Sequence, residues 1–156
     1  MNFYRYLLEQ NPVLTISLTG WFAAQISKTI INCLLMKKFD AERLWGAGGM
    51  PSSHSALVCS MVIATGKEMG TRSPLFAIAF VLAVIVMYDA MGVRRAAGEQ
   101  AKVLNQMLFD WMDHNKQIFQ NAGQNKQLKE MLGHTPIEVL SGAILGMLIG
   151  FLIPVV

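Results

Sequence analysis

The chain contains little charge and few cysteines for its length. Of its 156 residues, 15% are Asp, Glu, Lys or Arg, whereas about 25% of an ordinary soluble domain is charged. Hydrophobic residues reach 53%, which excludes a disordered chain because such chains lack the apolar surface needed to fold. A net charge of +3 is too weak a basic signal for a nucleic-acid-binding protein. Cys33 and Cys59 are too few for a disulfide framework and lack the spacing of a zinc site.

Four apolar windows account for most of the sequence: residues 11–36, 43–67, 73–88 and 136–156. A membrane-spanning helix needs about 20 mostly apolar residues, and the first, third and fourth windows meet or nearly meet that length. The second is interrupted by glycines and Pro51, so it spans only if that segment also lies at membrane depth. We therefore predict an all-α integral membrane helix bundle, with about four transmembrane helices plus amphipathic interfacial helices, as a single membrane domain over residues 1–156.

Two further segments carry an amphipathic pattern. Residues 1–10 mix aromatic and charged side chains and predict a short interfacial helix. The polar region of about 92–133 is predicted to be a cytoplasmic insertion, and residues 120–127 are predicted to form a loop. Apolar residues recur there at helical spacing, namely Val103, Leu104, Met107, Leu108, Trp111 and Met112. This pattern predicts a helix that lies either on the membrane or on the other helices.

The distribution of Lys and Arg predicts the orientation. With four spans, nine of these residues share one side, namely Lys37, Lys38, Arg43, Arg94, Arg95, Lys102, Lys116, Lys126 and Lys129. The other side has only Arg5, Lys67 and Arg72. We expect the long loops on the cytoplasmic side of a bacterial inner (plasma) membrane.

Two ionisable residues lie within or at the end of a predicted span. Lys28 shares a helical face with Gln25, Thr29 and Asn32, and this stripe faces the bundle interior unless Lys28 reaches the interface by snorkelling. Asp89 ends the third span, where it can pair with Arg94 or Arg95.

The segment 48–55 is the first candidate site. We expect Pro51 at the first position of a helix, so that the amides of Ser52, Ser53 and His54 form an anion site at its N-terminus. Lys38 and Arg43 lie nearby in sequence, which favours phosphate as the anion. The alternative is ordinary Gly-Pro-Ser turn chemistry.

Two further clusters fall on the same membrane face. His134 and Glu138 are four residues apart, so the carboxylate can orient and charge-stabilise the imidazole. Equally, Thr135 and Glu138 fit a capping box. Arg94 and Arg95 form the third cluster, and guanidinium is a preferred partner of phosphate.

Small residues at every fourth position mark the last window. Gly142, Gly146 and Gly150 form a ridge that lets another helix approach closely. We expect this ridge to pack within the chain or in a homodimer.

Three strings of the sequence resemble a known family: Gly-Gly-Met-Pro-Ser-Ser-His-Ser-Ala (48–56), Tyr-Asp-Ala-Met-Gly-Val-Arg-Arg-Ala-Ala-Gly (88–98) and Leu-Gly-His-Thr-Pro (132–136). They are similar to the divergent branch of the type 2 phosphatidic acid phosphatase superfamily, which also includes the vanadium-dependent haloperoxidases. The resemblance runs from Gln25 to Gly150.

The catalytic motifs of the superfamily correspond more loosely. Its Pro-Ser-Gly-His motif resembles residues 51–54, with Ser53 in place of Gly. His134 and Glu138 keep the spacing of its His and Asp, with Glu in place of Asp. The arginine of that motif would be Arg94 or Arg95, separated from His134 by a long insertion.

The first motif, Lys, six residues and Arg-Pro, has only a partial counterpart. Lys37 or Lys38 with Arg43 comes near it with a shorter spacing and no Pro, and Lys28 is a rival for the lysine. The superfamily's six-helix core also exceeds the four spans counted here, which implies a shortened bundle or a dimer.

The resemblance implies a phosphatase that needs no metal or other cofactor. In it His134 attacks phosphorus, Glu138 holds the other ring nitrogen, and His54 protonates the leaving alkoxide. The phosphoryl oxygens would be held by Arg94 or Arg95, Lys28 or Lys38, Arg43, and the segment of Ser52 and Ser53. The implied substrate is a lipid phosphate or diphosphate from the cytoplasmic leaflet. The alternatives are a non-enzymatic lipid-phosphate binding or transport protein with the same basic residues, and a purely structural membrane protein.

Overall fold

The computed structural model describes residues 3–36, 49–114, 128 and 133–155, in which every regular element is a helix and no strand occurs. The helices are α1 (Phe3–Gln10), α2 (Pro12–Met36), α3 (Ser53–Met69), α4 (Pro74–Met91), α5 (Val93–His114) and α6 (Pro136–Leu152). The predicted all-α class is therefore confirmed. Each of the four apolar windows overlaps one of the helices α2, α3, α4 and α6, with α3 and α4 ending two and three residues beyond their windows. The two amphipathic segments contain α1 and α5.

Local side-chain chemistry explains where α4 and α6 begin. Ser73 caps α4, its hydroxyl accepting a hydrogen bond from the Leu75 amide at 3.2 Å. Thr135 caps α6, and Glu138 returns the bond by accepting from the Thr135 amide at 2.9 Å. Both helices have proline at the start, where the missing N–H costs nothing.

Helix α3 is the centre of the bundle, since it packs against α2, α4 and α6. Its contact with α6 follows the glycine ridge. A methyl group built on Gly142 or Gly146 would overlap the backbone of Ser52 or Ala56, and one on Gly150 would come within 2.7 Å of Ile63. Residue numbers rise together along both helices, so α3 and α6 run parallel.

The glycine ridge is therefore used within the chain, one of the two arrangements expected from sequence. A homodimer through the same three glycines would require α3 to move away. Association of two copies stays a prediction.

Helices α2 and α4 run antiparallel to α3. Gly20 lies against Ser60, whereas Lys28, further along α2, lies against Gly49. On the other side, the Cys59 and Met87 sulfur atoms are 3.8 Å apart. Four helix ends therefore meet at one end of the bundle: the C-terminal ends of α2 and α4 and the N-terminal ends of α3 and α6.

Lys67 fastens the opposite end of the bundle. Its ammonium group donates hydrogen bonds to the carbonyl oxygens of Gly150, Phe151 and Ile153, at 3.1, 3.2 and 2.7 Å. These carbonyls lie at the end of α6, where main-chain acceptors lack helical partners and a positive charge is favoured. The parallel pair α3 and α6 is thus held at both ends.

Large apolar side chains remain exposed on three of the four long bundle helices. On α2 they recur at every fourth residue from Leu14 to Ile30. On α4 and α6 they include Ile78, Ile85, Leu140 and Phe151. Along α3 the only such residue is Met69, in its last turn, because its neighbours cover the rest.

By length and composition, one helical stretch of the described chain is suited to cross a membrane. It lies within Pro74–Trp111 and has a mean hydropathy of 2.3 over its best window. Helix α6 is apolar but shorter. Helices α2 and α3 have a lower mean hydropathy than α4 and α6. Helix α2 carries polar residues, and the enclosed α3 has little need of apolar side chains on an outer face.

The glycine ridge generates a stability prediction. Gly146→Val places a branched side chain against the Ala56 backbone, and overpacking of this kind costs typically about 1–3 kcal/mol. We expect the purified variant to unfold at a lower temperature in detergent, followed by circular dichroism. Leu148→Val on the exposed face is the matched control, and equal unfolding temperatures for both variants would contradict the packing described.

Candidate functional site

The three clusters singled out in the sequence converge where the four helix ends meet. The Ser52 amide donates to the Glu138 carbonyl at 3.0 Å, which ties the start of α3 to the first turn of α6. The His134 amide donates to the Ala90 carbonyl at 3.1 Å, which ties the approach to α6 to the end of α4. The Lys28 side chain reaches Gly49 from α2.

The start of α3 differs in detail from the sequence prediction. The helix begins at Ser53, with Ser52 as its N-cap, so Pro51 precedes the helix instead of opening it. The Ser52 hydroxyl accepts from the Ser55 amide at 3.4 Å and from the Ser55 hydroxyl at 3.0 Å. The amide and hydroxyl of Ser52 thus make structural contacts. Ser53 and His54 occupy the first two helical positions, where amides have no acceptor within the helix.

His134 lies in the short segment between the Gly133 turn and α6 and is 4% exposed. Its Nε2 atom is buried and has no hydrogen-bond partner in the described part of the chain. Burial lowers the pKa of His134; the Glu138 charge raises this pKa, and the positive charges of Lys28, His54 and Arg94 lower it. The ring therefore lies within the field of groups from α2, α3, α5 and α6.

Glu138 fulfils the capping box that the sequence allowed. Its carboxylate accepts from the Thr135 amide, and the Thr135 hydroxyl accepts from the Glu138 amide at 3.4 Å. The same carboxylate acts on His134 through its charge. The predicted capping box is therefore present, whereas orientation of the imidazole by this carboxylate stays a prediction.

Lys28 faces the interior of the bundle. It is 3% exposed and Gln25, one turn earlier, is also buried, so Lys28 does not snorkel out of the bundle. Gly49, which lies against the Lys28 stem, has φ of +86°. A methyl group there would come within 3.2 Å of the Lys28 Cδ atom. Glycine at this position thus supplies both the backbone conformation and the space for the lysine.

Arg94 and Arg95 occupy different environments at the start of α5. The Arg94 Nε atom donates to an Asp89 carboxylate oxygen at 2.6 Å, as the sequence allowed, and the Arg94 charge acts on His134. The backbone of Arg95 packs against Gly133 so closely that a methyl group on this glycine would overlap it. That close approach was not foreseen, although a glycine directly before His134 was its signal.

Lys38 and Arg43 lie outside the described residues, so their predicted phosphate contacts stay predictions. In the described ranges, no group of three His, Cys, Asp or Glu side chains comes together as ligands for a metal ion. The residues that converge are instead Lys28, His54, Arg94, His134 and Glu138, a set with more cationic than anionic groups. Such a set is suited to an anion that can hydrogen-bond to several cations at once.

Comparison with known proteins identifies the family of this chain. Residues 9–149 match the divergent PAP2 family, and the chain therefore belongs to that family. It is also 43% identical over 148 residues to "uncharacterized membrane protein YuiD" of Bacillus subtilis (strain 168), covering 92% of this chain and 93% of the relative. No solved structure gives a significant match. The protein is thus a membrane protein of the divergent PAP2 family.

The burial of His134 generates a prediction on pH. Because burial lowers its pKa in the folded state, the unfolded chain binds the proton more readily. Folding stability should therefore fall as pH drops through about 6.5, the ordinary pKa of histidine, until the folded-state pKa is passed. His134→Gln removes this contribution, so its unfolding free energy in detergent should depend less steeply on pH over that window.

The slope difference between the two proteins is at most one proton, about 1.4 kcal/mol per pH unit. His54 is present in both proteins, which isolates the contribution of His134. A variant whose stability falls as steeply as that of the unmodified protein would contradict the burial of a neutral ring.

Proposed function

We propose that this protein is a membrane-embedded phosphatase that hydrolyses a lipid phosphate or diphosphate through a phosphohistidine intermediate. The observation that supports this most directly concerns the His134 Nε2 atom, which is buried and has no hydrogen-bond partner among the described residues. It lies in the field of Lys28, His54 and Arg94. A neutral ring nitrogen is a nucleophile, and surrounding cations stabilise the phosphoryl oxygens it attacks.

The proposed reaction has two steps. His134 Nε2 forms a bond to phosphorus while the bond from phosphorus to the ester oxygen breaks, and His54 transfers a proton to the departing oxygen. Water then attacks the phosphohistidine, giving its proton to His54, and inorganic phosphate leaves as the bond to Nε2 breaks. The Glu138 carboxylate offsets the positive charge that the His134 ring gains on attack. The cycle thus requires His54 to be protonated and His134 to be neutral, both before attack and after phosphate leaves.

The phosphoryl oxygens would be held by cations and amides together. Lys28 contributes an ammonium group from α2, and the amides of Ser53 and His54 contribute donors at the start of α3. Ser52, which caps the helix, supports that turn from within. Lys38 and Arg43 remain further candidates from the segment between α2 and α3.

Arg94 is the better of the two candidate arginines for phosphate binding. Asp89 accepts a hydrogen bond from the Arg94 Nε atom, so the two terminal nitrogens of this guanidinium can bind an anion. We assign Asp89 as a positioning residue that sets the direction of this guanidinium. The Arg95 backbone serves instead to pack α5 against Gly133.

We further propose that α2, α3, α4 and α6 all cross the membrane as a single domain, with the site on the cytoplasmic side. At about 1.5 Å per residue, helices of 17 to 25 residues extend for about 26–38 Å, close to the hydrocarbon thickness of about 30 Å. The exposed apolar residues of α2, α4 and α6 would face lipid, and the excess of Lys and Arg at the site end favours the cytoplasm. The substrate would then enter from the adjacent leaflet.

Substitution of His134 tests the reaction. Purified protein in phosphatidylcholine vesicles should release phosphate from phosphatidic acid or a polyprenyl diphosphate without added metal, and vanadate should inhibit it. His134→Ala should abolish release, whereas His114→Ala should leave it unchanged. Unaltered turnover by His134→Ala would refute the assignment of the nucleophile.

A matched pair of arginine variants tests the assignment of the phosphate contact. Loss of a charge-assisted contact that strengthens in the transition state costs about 2–4 kcal/mol, so Arg94→Ala should lower kcat/KM by roughly 30- to 1000-fold. Arg95→Ala should lower it by less than about 10-fold. Asp89→Asn should retain chemistry but raise KM more than it lowers kcat. The reverse ranking of the two arginine variants would contradict the assignment.

A lipid-phosphate binding or transport protein is the second candidate. It is favoured by the Glu138 carboxylate, whose described hydrogen bond belongs to the helix cap and not to the imidazole. On this hypothesis, binding of a labelled lipid phosphate survives His134→Ala and is weakened by Arg94→Ala. Absence of phosphate release by the unmodified protein, combined with that binding pattern, would select it over the phosphatase.

A further inference from the structure

Helix α5 presents one face to the rest of the protein. Gly98 and Ala101 on this face are buried. One turn further on, the Asn105 side chain exchanges two hydrogen bonds with the main chain of Leu128, at 2.9 and 3.0 Å. Together with the contact of Arg95 on Gly133, these contacts fix the rotation of α5 about its own axis.

A second face of α5 is apolar and exposed. Its members are separated by multiples of a helical turn and therefore lie on one side of the helix. They are 49% to 66% exposed, namely Val93, Leu104, Met107, Leu108 and Trp111. A third face carries Arg95, Lys102 and Gln106, which are also exposed. With about 100° between successive residues, Leu104 and Gln106 point to nearly opposite sides.

The position of α5 directly after α4 indicates what covers its apolar face. Helix α4 has 18 residues, which is about 27 Å of helix and close to the hydrocarbon thickness. Gly92 then leaves the helical conformation, with φ of −102° and ψ of −87°. Helix α5 therefore begins as a separate helix, at the end of α4 that the proposed crossing places at the membrane surface.

The exposed apolar surface continues across this junction. Ile85 and Tyr88 near the end of α4 are 58% and 72% exposed, and Val93 at the start of α5 is 66% exposed. The surface that covers the end of α4 thus also covers the start of α5. For a helix of a membrane protein, that surface is lipid.

We infer that α5 lies in the plane of the leaflet at which the candidate site opens, with its apolar face inserted among the acyl chains. Its third face points to water, and the side that carries Gly98 is held through the contacts of Asn105 with Leu128 and of Arg95 with Gly133. The partner is thus a lipid surface, bound through apolar burial. Because the polar face carries acids as well as bases, Glu99 and Asp110 among them, insertion should be independent of anionic lipid.

This arrangement has a consequence for the depth of the site. Arg94 and Arg95 open α5, and the Arg95 backbone contacts the residue preceding His134. A helix anchored in the leaflet would hold these groups at headgroup depth. The inference does not rest on the proposed phosphatase reaction, and its test needs no substrate.

A single tryptophan placed at either of two positions on α5 tests the inference. The native Trp21, Trp45 and Trp111 are first replaced by Phe in the full-length protein. Leu104→Trp is then introduced in one variant and Gln106→Trp in another. Each variant is reconstituted at one copy per phosphatidylcholine nanodisc, with and without bromine on the acyl chains. We expect several-fold stronger quenching of Leu104→Trp by brominated lipid. Aqueous acrylamide should quench Gln106→Trp more strongly, and replacing a third of the lipid by phosphatidylglycerol should change neither result.

Several outcomes would overturn the inference. Equal quenching of the two variants by brominated lipid would show that α5 lacks a lipid-facing side. Protection of Leu104→Trp from both quenchers would indicate that protein covers the apolar face. If far-UV circular dichroism shows that Leu104→Trp misfolds, Met107→Trp on the same face takes its place, and the same outcomes decide.

Discussion

The parallel contact between α3 and α6 is the constraint on which the rest of the structure depends. Successive helices of an up-and-down bundle are antiparallel, so two parallel helices touch only when they are not consecutive. Here glycine at positions 142, 146 and 150 removes the side chains that would separate them, and helices that lack such residues pack with their axes about 8–10 Å apart. The close approach brings the positive ends of two helix dipoles side by side, with His54 on one helix and His134 just before the other.

Electrostatics gives this end of the bundle its chemical character. Two helix N-termini converge with Lys28 and Arg94, while Glu138 and Asp89 supply the nearby negative charge. A buried lysine within a bundle of apolar helices costs free energy and is retained where it meets an anion or a polar partner. Burial, and to a lesser degree the charges of these cations, lower the pKa of His134 and so favour the unprotonated ring that nucleophilic attack requires.

Much of the fold was predictable from sequence because the outer helices of the bundle are apolar along most of their length. The windows that became α2, α4 and α6 follow this rule. Helix α3 was harder to predict because its neighbours enclose it, so it tolerates the buried hydroxyl groups of Ser55, Ser60 and Thr65. Its glycine-interrupted start reads as a loop in sequence but lies against Lys28 in space.

The candidate site was predictable in composition but not in detail. Spacing placed His134 near Glu138, yet it could not decide between a cap and a contact with the imidazole, because both use the Glu138 carboxylate. Arg94 and Arg95 are equivalent in a sequence pattern. Only the turn at Gly92, which brings Arg94 onto Asp89 and the Arg95 backbone onto Gly133, separates them. The hydrogen bonds from Lys67 to the end of α6 were also not predictable, since they join residues more than 80 positions apart in the sequence.

Trapping of the covalent intermediate is the most direct test of the central claim that two imidazoles and a guanidinium act on one phosphoryl group. Rapid alkaline quenching of the unmodified protein during turnover of a lipid diphosphate labelled with phosphorus-32 in its terminal phosphate, followed by mass spectrometry, should find acid-labile phosphate on His134. His54→Ala should accumulate the label, because without His54 the hydrolysis step is slowed more than attack on an activated diphosphate substrate. Turnover with no labelled histidine, or with the label on His54, would contradict it.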